Sequence, residues 1–383
     1  MPTTRCCSAF ALIAVFVVAL KGTTNGDRLQ LFPTRPAWEL RLNNPLTAPP
    51  ALVGRRGYFP IEGDRLAAYD IEHGTLLWLV SARVRATPAV GDGLVFVIEP
   101  ERLTALNAGT GSVAWRVPFA ESLAAPLVWH NGWLIGTASE GHVLAFRARD
   151  GGLIWQRQLD GRIRGAAALA GDRLYVPLED GRLVALRVAT GEPLWFRRLG
   201  GVASDILALD DQIFVGSRDN YFYNIRASDG FVSWRFETGA DIVGLPVVDD
   251  RRVYFVSLDN LLRCLDRRTG GQVWKSALPL RPGRGPVVAG DTLIVSGVSP
   301  LPQAYSIREG KTTGEILAGG ELAAAPHVVP DTVLPMITLV ARDAEAGTIV
   351  RALVRSVDPS STPIAPLPDS FSPPRPDAAP TPQ

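Results

Sequence analysis

The sequence predicts an all-β protein, a single eight-bladed β-propeller, and three observations carry the prediction. Tryptophans recur at a nearly constant interval, most are preceded by one turn signature, and the stretch between successive tryptophans divides into four short strands. The tryptophans are Trp38, Trp78, Trp115, Trp155, Trp195, Trp234 and Trp274, spaced 40, 37, 40, 40, 39 and 40 residues apart. Four positions before six of them stands a glycine: Gly74, Gly111, Gly151, Gly191, Gly230 and Gly270. Thr or Asp usually precedes that glycine, as in Thr110, Asp150, Thr190, Asp229 and Thr269. Four strands in about 40 residues, repeated along a chain, is how a propeller blade is written in sequence.

The fourth period shows how the strands are read. Ala166–Leu169 is apolar and Gly171-Asp172 turns; Arg173–Leu178 follows, and Glu179-Asp180-Gly181 turns again. Arg182–Arg187 alternates as a half-buried strand does, Thr190-Gly191 turns, and Pro193–Arg197 carries the tryptophan. Alternation of period two between Gly/Asp turns, without a helix-period stretch, points to antiparallel sheet. Glycine in the third turn permits positive φ, and a preceding Thr or Asp can bond the local backbone. A tryptophan at one place in successive sheets offers a flat surface for packing blade on blade, its indole N–H left for a backbone acceptor. Small residues open each first strand (Ala86-Thr87, Ala124-Ala125, Gly165-Ala166, Gly244, Gly285, Ala324-Ala325), as crowding near a common axis would require.

Counting sets the number of blades. After Trp274 the next lattice point is read at Gly314-Glu315-Ile316-Leu317-Ala318, with Thr313-Gly314 as the turn and Ala318 in the tryptophan's place. Beyond it, Pro326–Pro330, Val333–Ala341 and Ile349–Ser356 supply three strands, and the fourth is sought at the other end, in Ala37–Leu42. Pairing the two ends closes an eighth blade and removes an exposed sheet edge; seven blades is the alternative. The organisation is then a signal peptide at 1–26, the propeller at 27–357 and a disordered Pro-rich tail at 358–383, which holds nine prolines.

The amino terminus reads as an export signal. Arg5 precedes an apolar run, Ala9–Leu20, which fits a signal-peptide core and falls short of the roughly 20 residues of a membrane span. Small residues Thr24 and Gly26 favour cleavage before Asp27, and an uncleaved anchor is the alternative. Cys6 and Cys7 would leave with the signal; Cys264 alone remains, as a small core hydrophobe, and no intramolecular disulfide is available. Location is therefore read as periplasmic or outer-membrane-associated, with membrane attachment indirect or through the uncleaved anchor. The 39 basic and 38 acidic residues leave a net charge of +1, without the basic footprint that nucleic acid requires.

The Thr/Asp-Gly-x-x-x-Trp repeats, with inner-strand prolines as in Ala86-Thr87-Pro88 and Ala124-Ala125-Pro126, resemble the pyrroloquinoline-quinone-type propeller repeat over roughly residues 36–357. Two branches share it: the quinoprotein alcohol and glucose dehydrogenases, and the BamB family, eight-bladed lipoprotein subunits of the bacterial β-barrel assembly machine. The single-propeller layout resembles BamB, which implies a scaffold in outer-membrane protein assembly. That family is lipidated on a cysteine after the signal, and Lys21–Asp27 contains none.

No constellation of catalytic residues stands out. Quinone catalysis needs hard oxygen ligands for Ca²⁺ and an Asp base, and the dehydrogenases it resembles are much longer and typically carry an adjacent-cysteine disulfide. His73, His130, His142 and His327 occupy mostly separate blades at different repeat positions, and most acidic residues fall in turns. The expectation is a monomeric, non-catalytic protein without cofactor or metal that binds protein partners in the cell envelope. The alternatives are a generic exported ligand-binding propeller or a quinone-dependent dehydrogenase. The second turns and the blade connectors share one face, carrying Arg83, Arg85, Arg162, Arg164, Arg218, Arg281 and Arg284 among the acidic turns Glu99, Glu140, Glu179, Asp180, Asp219 and Asp259. With only three lysines in the chain, these arginines suit a protein interface. Interaction candidates are Arg85, Arg164, Arg218 and Arg284, with Trp133 and Tyr221 as aromatics off the tryptophan lattice.

Overall fold

The computed structural model describes residues 30–343 and 347–356; the signal peptide and the Pro-rich tail read from the sequence lie outside them. The described residues form strands and turns without a helix. Seven four-stranded antiparallel sheets follow one another along the chain, at 51–81, 89–118, 128–158, 168–198, 203–237, 242–277 and 287–315. In each the strand order is the chain order, from the axis outward.

The eighth blade joins the two ends of the chain. Thr34–Arg41 pairs antiparallel with Gly347–Arg355, with Trp38 opposite Ala352 and Arg41 opposite Ile349. Gly347–Arg355 in turn pairs with Met336–Asp343. The innermost position of this blade is divided between two short strands, Glu321–Leu322 and His327–Val329, both on Met336–Asp343. The closure expected from the lone Trp38 is thus present, and the ring has eight blades.

Each tryptophan fastens its blade to the next. The indole N–H of Trp38 donates to Glu72 O at 2.8 Å, Trp78 to Ala108 O at 3.0 Å, and Trp115 to Ala148 O at 3.0 Å. Trp155, Trp195 and Trp234 donate in the same way to Val188 O, Ala227 O and Arg267 O, at 2.7, 3.0 and 3.0 Å. The acceptor lies each time in the third turn of the following blade. The turn glycine makes room for the ring: Gly191 has φ +69°, and a Cβ there would stand 2.7 Å from the Trp155 ring. Any side chain would therefore meet both backbone strain and the indole.

Blade seven corrects the sequence reading. Its third-turn glycine is Gly310, with φ +71° and the Trp274 ring against it, and not Gly314. Gly314 pairs with Ala304 as Trp274 pairs with Cys264, so the tryptophan's place is held by Gly314 rather than by Ala318. The vacant volume is filled from the amino terminus: a Cβ on Gly314 would meet the Phe32 ring at 2.5 Å. The misplacement came from the Thr-Gly pair at 313–314, which imitates the turn signature four residues late.

Between blades the core is continuous and apolar. Leu174, Val176 and Leu186 of blade four pack with Ile135, Val143 and Ala145 of blade three, and blades five and six meet through Phe222 and Phe255, stacked 4.2 Å apart. Cys264 is fully buried, and burial pushes its thiol up to about 12, as expected of a core hydrophobe rather than a reactive group.

Candidate functional site

The face formed by second turns and blade connectors carries the charged residues singled out above. Its acidic turns are largely satisfied by their own blades. Glu99 is buried and accepts from the Thr104 hydroxyl at 2.6 Å and from Arg102 Nε at 3.1 Å. Burial alone would raise its carboxyl, but Thr104 and Arg102 outweigh that and hold it below the usual range. Asp219 accepts from the Tyr223 hydroxyl at 2.5 Å, and burial together with Asp219 pushes that hydroxyl up to about 12. Asp259 accepts from both terminal nitrogens of Arg263, at 3.0 and 2.5 Å, from Ser257 Oγ at 2.5 Å and from the Gly239 N–H at 3.0 Å. Those donors overcome the cost of burial and hold Asp259 at about 2.

Thr104, Tyr223 and Arg263 occupy one repeat position, the third residue of the third strand, where blades one, three and four carry Ala67, Leu144 and Val184. Sequence reading missed these partners, although aligning the third strands would have exposed the polar substitutions.

The arginines divide into paired and unpaired groups. Arg162 meets Glu140 at 2.7 Å and Arg164 meets Glu179 at 2.9 Å, both as solvent-exposed pairs. Such pairs contribute about 0–1 kcal/mol. Arg83 lies 3.6 Å from Asp64. Arg284 is half-buried and donates to Leu322 O and Ala323 O at 3.3 and 3.2 Å, which ties the entry of blade seven to blade eight. Burial, reinforced by the like charge of Arg342, depresses Arg284 against the opposing pull of Glu321 and Asp205. Asp205, on the first strand of blade five, is raised by burial, with Arg284 acting against the shift. Arg85, Arg218 and Arg281 are exposed, and their side chains have no hydrogen-bond or ion-pair partner among the described residues.

The aromatic candidates lie apart. Tyr221 opens the third strand of blade five beside the second turn, its ring 4.6 Å beneath the Arg235 guanidinium. Trp133 follows the first turn of blade three, on the opposite face from the arginines, and packs half-buried against the core between blades three and four. Trp129 is buried, its ring against Gly91 of blade two.

The histidines do not converge. His73 pairs with Asp70 at 3.1 Å, His142 with Glu121 at 3.2 Å, and His327 Nε2 contacts Gly54 O at 2.8 Å. Among the described residues, no group of three or more His, Cys, Asp or Glu is arranged to hold a metal ion.

Comparison with known proteins adds to this geometry. The family described as "Outer membrane protein assembly factor BamB" matches residues 62–206, 197–315 and 259–354. The outer membrane protein assembly factor BamB of Bordetella pertussis is 24% identical over 296 residues, 72% of this chain and 77% of its own. The crystal structure of BamB from Moraxella catarrhalis superposes with a TM-score of 0.65 at 17% identity, covering 84% of this chain and 99% of that one. Quinohemoprotein alcohol dehydrogenase ADHIIG from Pseudomonas putida HK5 superposes comparably, with a TM-score of 0.64 at 15% identity, over 89% of this chain and 79% of that one. Identities this low show a shared propeller fold, and function has to be argued from the site.

Proposed function

The chain belongs to the BamB family of outer membrane protein assembly factors, and from that premise we propose that it is a non-catalytic scaffold which binds a protein partner through its connector face. Family membership also carries the location, which is exported and periplasmic or outer-membrane-associated. One observation supports the face in particular. Glu99, Asp219 and Asp259 are occupied by hydroxyls and guanidiniums of their own blades, whereas Arg85 and Arg218 extend into solvent without a partner among the described residues. Glu62, Glu101, Asp160 and Asp241 on the same face also have no side-chain partner among the described residues, so the unpaired guanidiniums of Arg85, Arg218 and Arg281 are interleaved with unpaired carboxylates. Arg85 and Arg218 suit individual Asp and Glu side chains of a partner, which arginine can grip in two-pronged fashion.

Arg164 can join them by exchanging its exposed partner Glu179, and Tyr221 supplies an aromatic at the same edge. Arg284 acts one step behind, holding the entry of blade seven against blade eight. The partner is assigned to the β-barrel assembly machinery because the relatives are named for that process.

The test is co-purification from detergent-solubilised outer membranes. With Arg85→Glu and Arg218→Glu together, recovery of assembly-machinery proteins should fall at least about tenfold, equivalent to about 1.4 kcal/mol. The melting temperature should stay within a few degrees, because both side chains are exposed. Undiminished recovery by the double variant would remove the connector-face assignment and leave the propeller intact.

A further inference from the structure

Each blade turns its innermost strand to the central channel, and the connector before that strand delivers the chain to the channel mouth on the connector face. Uncharged and mostly small residues stand there in most blades. Blades two, four, seven and eight place Thr87, Ala166, Gly285 and Ala325 at one register position of the inner strand. Blade five places Asp205 there, exposed. One position earlier, where blades two, four and eight have Ala86, Gly165 and Ala324, blade seven has the half-buried Arg284. Between the two, blade six contributes Gly244, where a Cβ would stand 1.8 Å from Gly285 N, so no side chain of blade six occupies that place.

Opposite charges in reach of one another ordinarily collapse into a pair, and these do not. Arg284 feels Asp205, Glu321 and Arg342, yet no two of the four form an ion pair or a hydrogen bond among the described residues. Arg284 is held back by its own blade contacts: one terminal nitrogen donates to Leu322 O and Ala323 O at 3.3 and 3.2 Å. Its Nε and its other terminal nitrogen have no acceptor among the described residues, which leaves guanidinium donors free. Glu321 lies opposite Arg342 on blade eight, and their charges offset each other. Beside Asp205, Ser204 Oγ and Ser217 Oγ are buried without a hydrogen-bond partner among the described residues. A shielded charge without a partner is costly, and one small molecule carrying both signs relieves the carboxylate and the guanidinium together.

We infer that the channel mouth between Asp205 and Arg284 is a binding site for a small zwitterion, its ammonium on Asp205 and its carboxylate on Arg284. Free amino acids and short peptides with free ends share this chemistry. A molecule with a single charge is attracted by one of the two groups and repelled by the other. The guanidinium takes the carboxylate through charge-assisted hydrogen bonds, and the carboxylate of Asp205 accepts from the ammonium. Neither Arg85 nor Arg218 takes part, so the site does not depend on the partner contact proposed above.

Calorimetric titration of the full chain with glycine, γ-aminobutyrate, ε-aminohexanoate, dialanine and trialanine tests the site. Saturable binding of at least one is expected, and whether the amino acids or the peptides bind more tightly identifies the source. Butyrate and butylammonium, with one charge each, should bind at least about tenfold more weakly than the best zwitterion. Asp205→Asn keeps the shape of the side chain and removes its charge, and it should weaken the best zwitterion by about tenfold or more. Arg284→Gln should do the same. Because Arg284 also ties blade seven to blade eight, its variant is read only if the melting temperature shows it folded, and Asp205→Asn decides otherwise. Absence of binding by every zwitterion, equal binding of the single-charge compounds, or undiminished binding by Asp205→Asn would overturn the inference.

Discussion

The seam between blades three and four and the seam between blades seven and eight are joined by different devices. At the first, Trp155 lies flat on Gly191 and its indole bonds to Val188 O, within a stretch of chain that runs directly from one blade to the next. At the second, the tryptophan's place is Gly314, and Phe32 enters from the far end of the sequence to fill it. The second blade of that seam is itself built from both ends, through Trp38 opposite Ala352 and through Arg351, whose guanidinium meets Glu39 at 2.5 Å with both side chains largely shielded. An internal seam is thus fastened by one repeated local residue. The closing seams depend on long-range contacts that exist only once the ring is complete, at a greater cost in loop closure.

Predictions that sharpen this contrast begin with the largest effect. Trp155→Ala should cost about 3–5 kcal/mol as a large-to-small core change, read by denaturant unfolding, without selective loss of any one binding activity. Phe32→Ala should cost less, about 2 kcal/mol, because its ring, half-buried like that of Trp155, is smaller and donates no hydrogen bond. Its protection loss in hydrogen exchange should centre on blades seven and eight. Equal loss of protection in blade three would mean that the seams are not independent.

Acid should test the seam between blades eight and one. Burial lowers His327 from 6.5, with the Gly54 carbonyl acting against the shift. A group depressed in the folded state stabilises above its unfolded value, so this contribution should decline as pH falls below about 6.5. His327→Gln should flatten the dependence of melting temperature on pH between about 5 and 7. An unaltered slope would place the titration elsewhere, for example at His130, which burial also lowers.

The smallest effect compares two tryptophans. Trp274 has a buried indole nitrogen without a hydrogen-bond partner among the described residues, and Arg252 donates at 3.3 Å to Ile307 O, the carbonyl that the lattice would have offered it. Trp155→Phe should cost about 1 kcal/mol for the lost bond, and Trp274→Phe distinctly less.

The sequence carried the blades well, because each period repeats the same local chemistry: a glycine able to take positive φ, a Thr or Asp beside it, and a ring four residues later. Trp38 standing without three strands of its own was enough to reveal the closure. Where the repeat decays, local signals mislead: Thr313-Gly314 looked like a turn, and only packing against Phe32 shows that Gly314 replaces a tryptophan. The connector face was legible as a set of arginines but not as paired and unpaired ones. Whether Arg164 finds Glu179 while Arg218 stays free depends on how neighbouring connectors are placed in space. Trp133 and Tyr221 looked alike as aromatics off the lattice, yet one follows a first turn and the other a second turn, which puts them on opposite faces.

The central claim is that the connector face meets the partner, and site-specific photo-crosslinking in living cells tests it most directly. A photoreactive phenylalanine at Arg218, on that face, should give a discrete adduct with an assembly-machinery protein. The same group at exposed Asp250, in a first turn on the opposite face, should give none. An adduct from Asp250 with none from Arg218 would contradict the account.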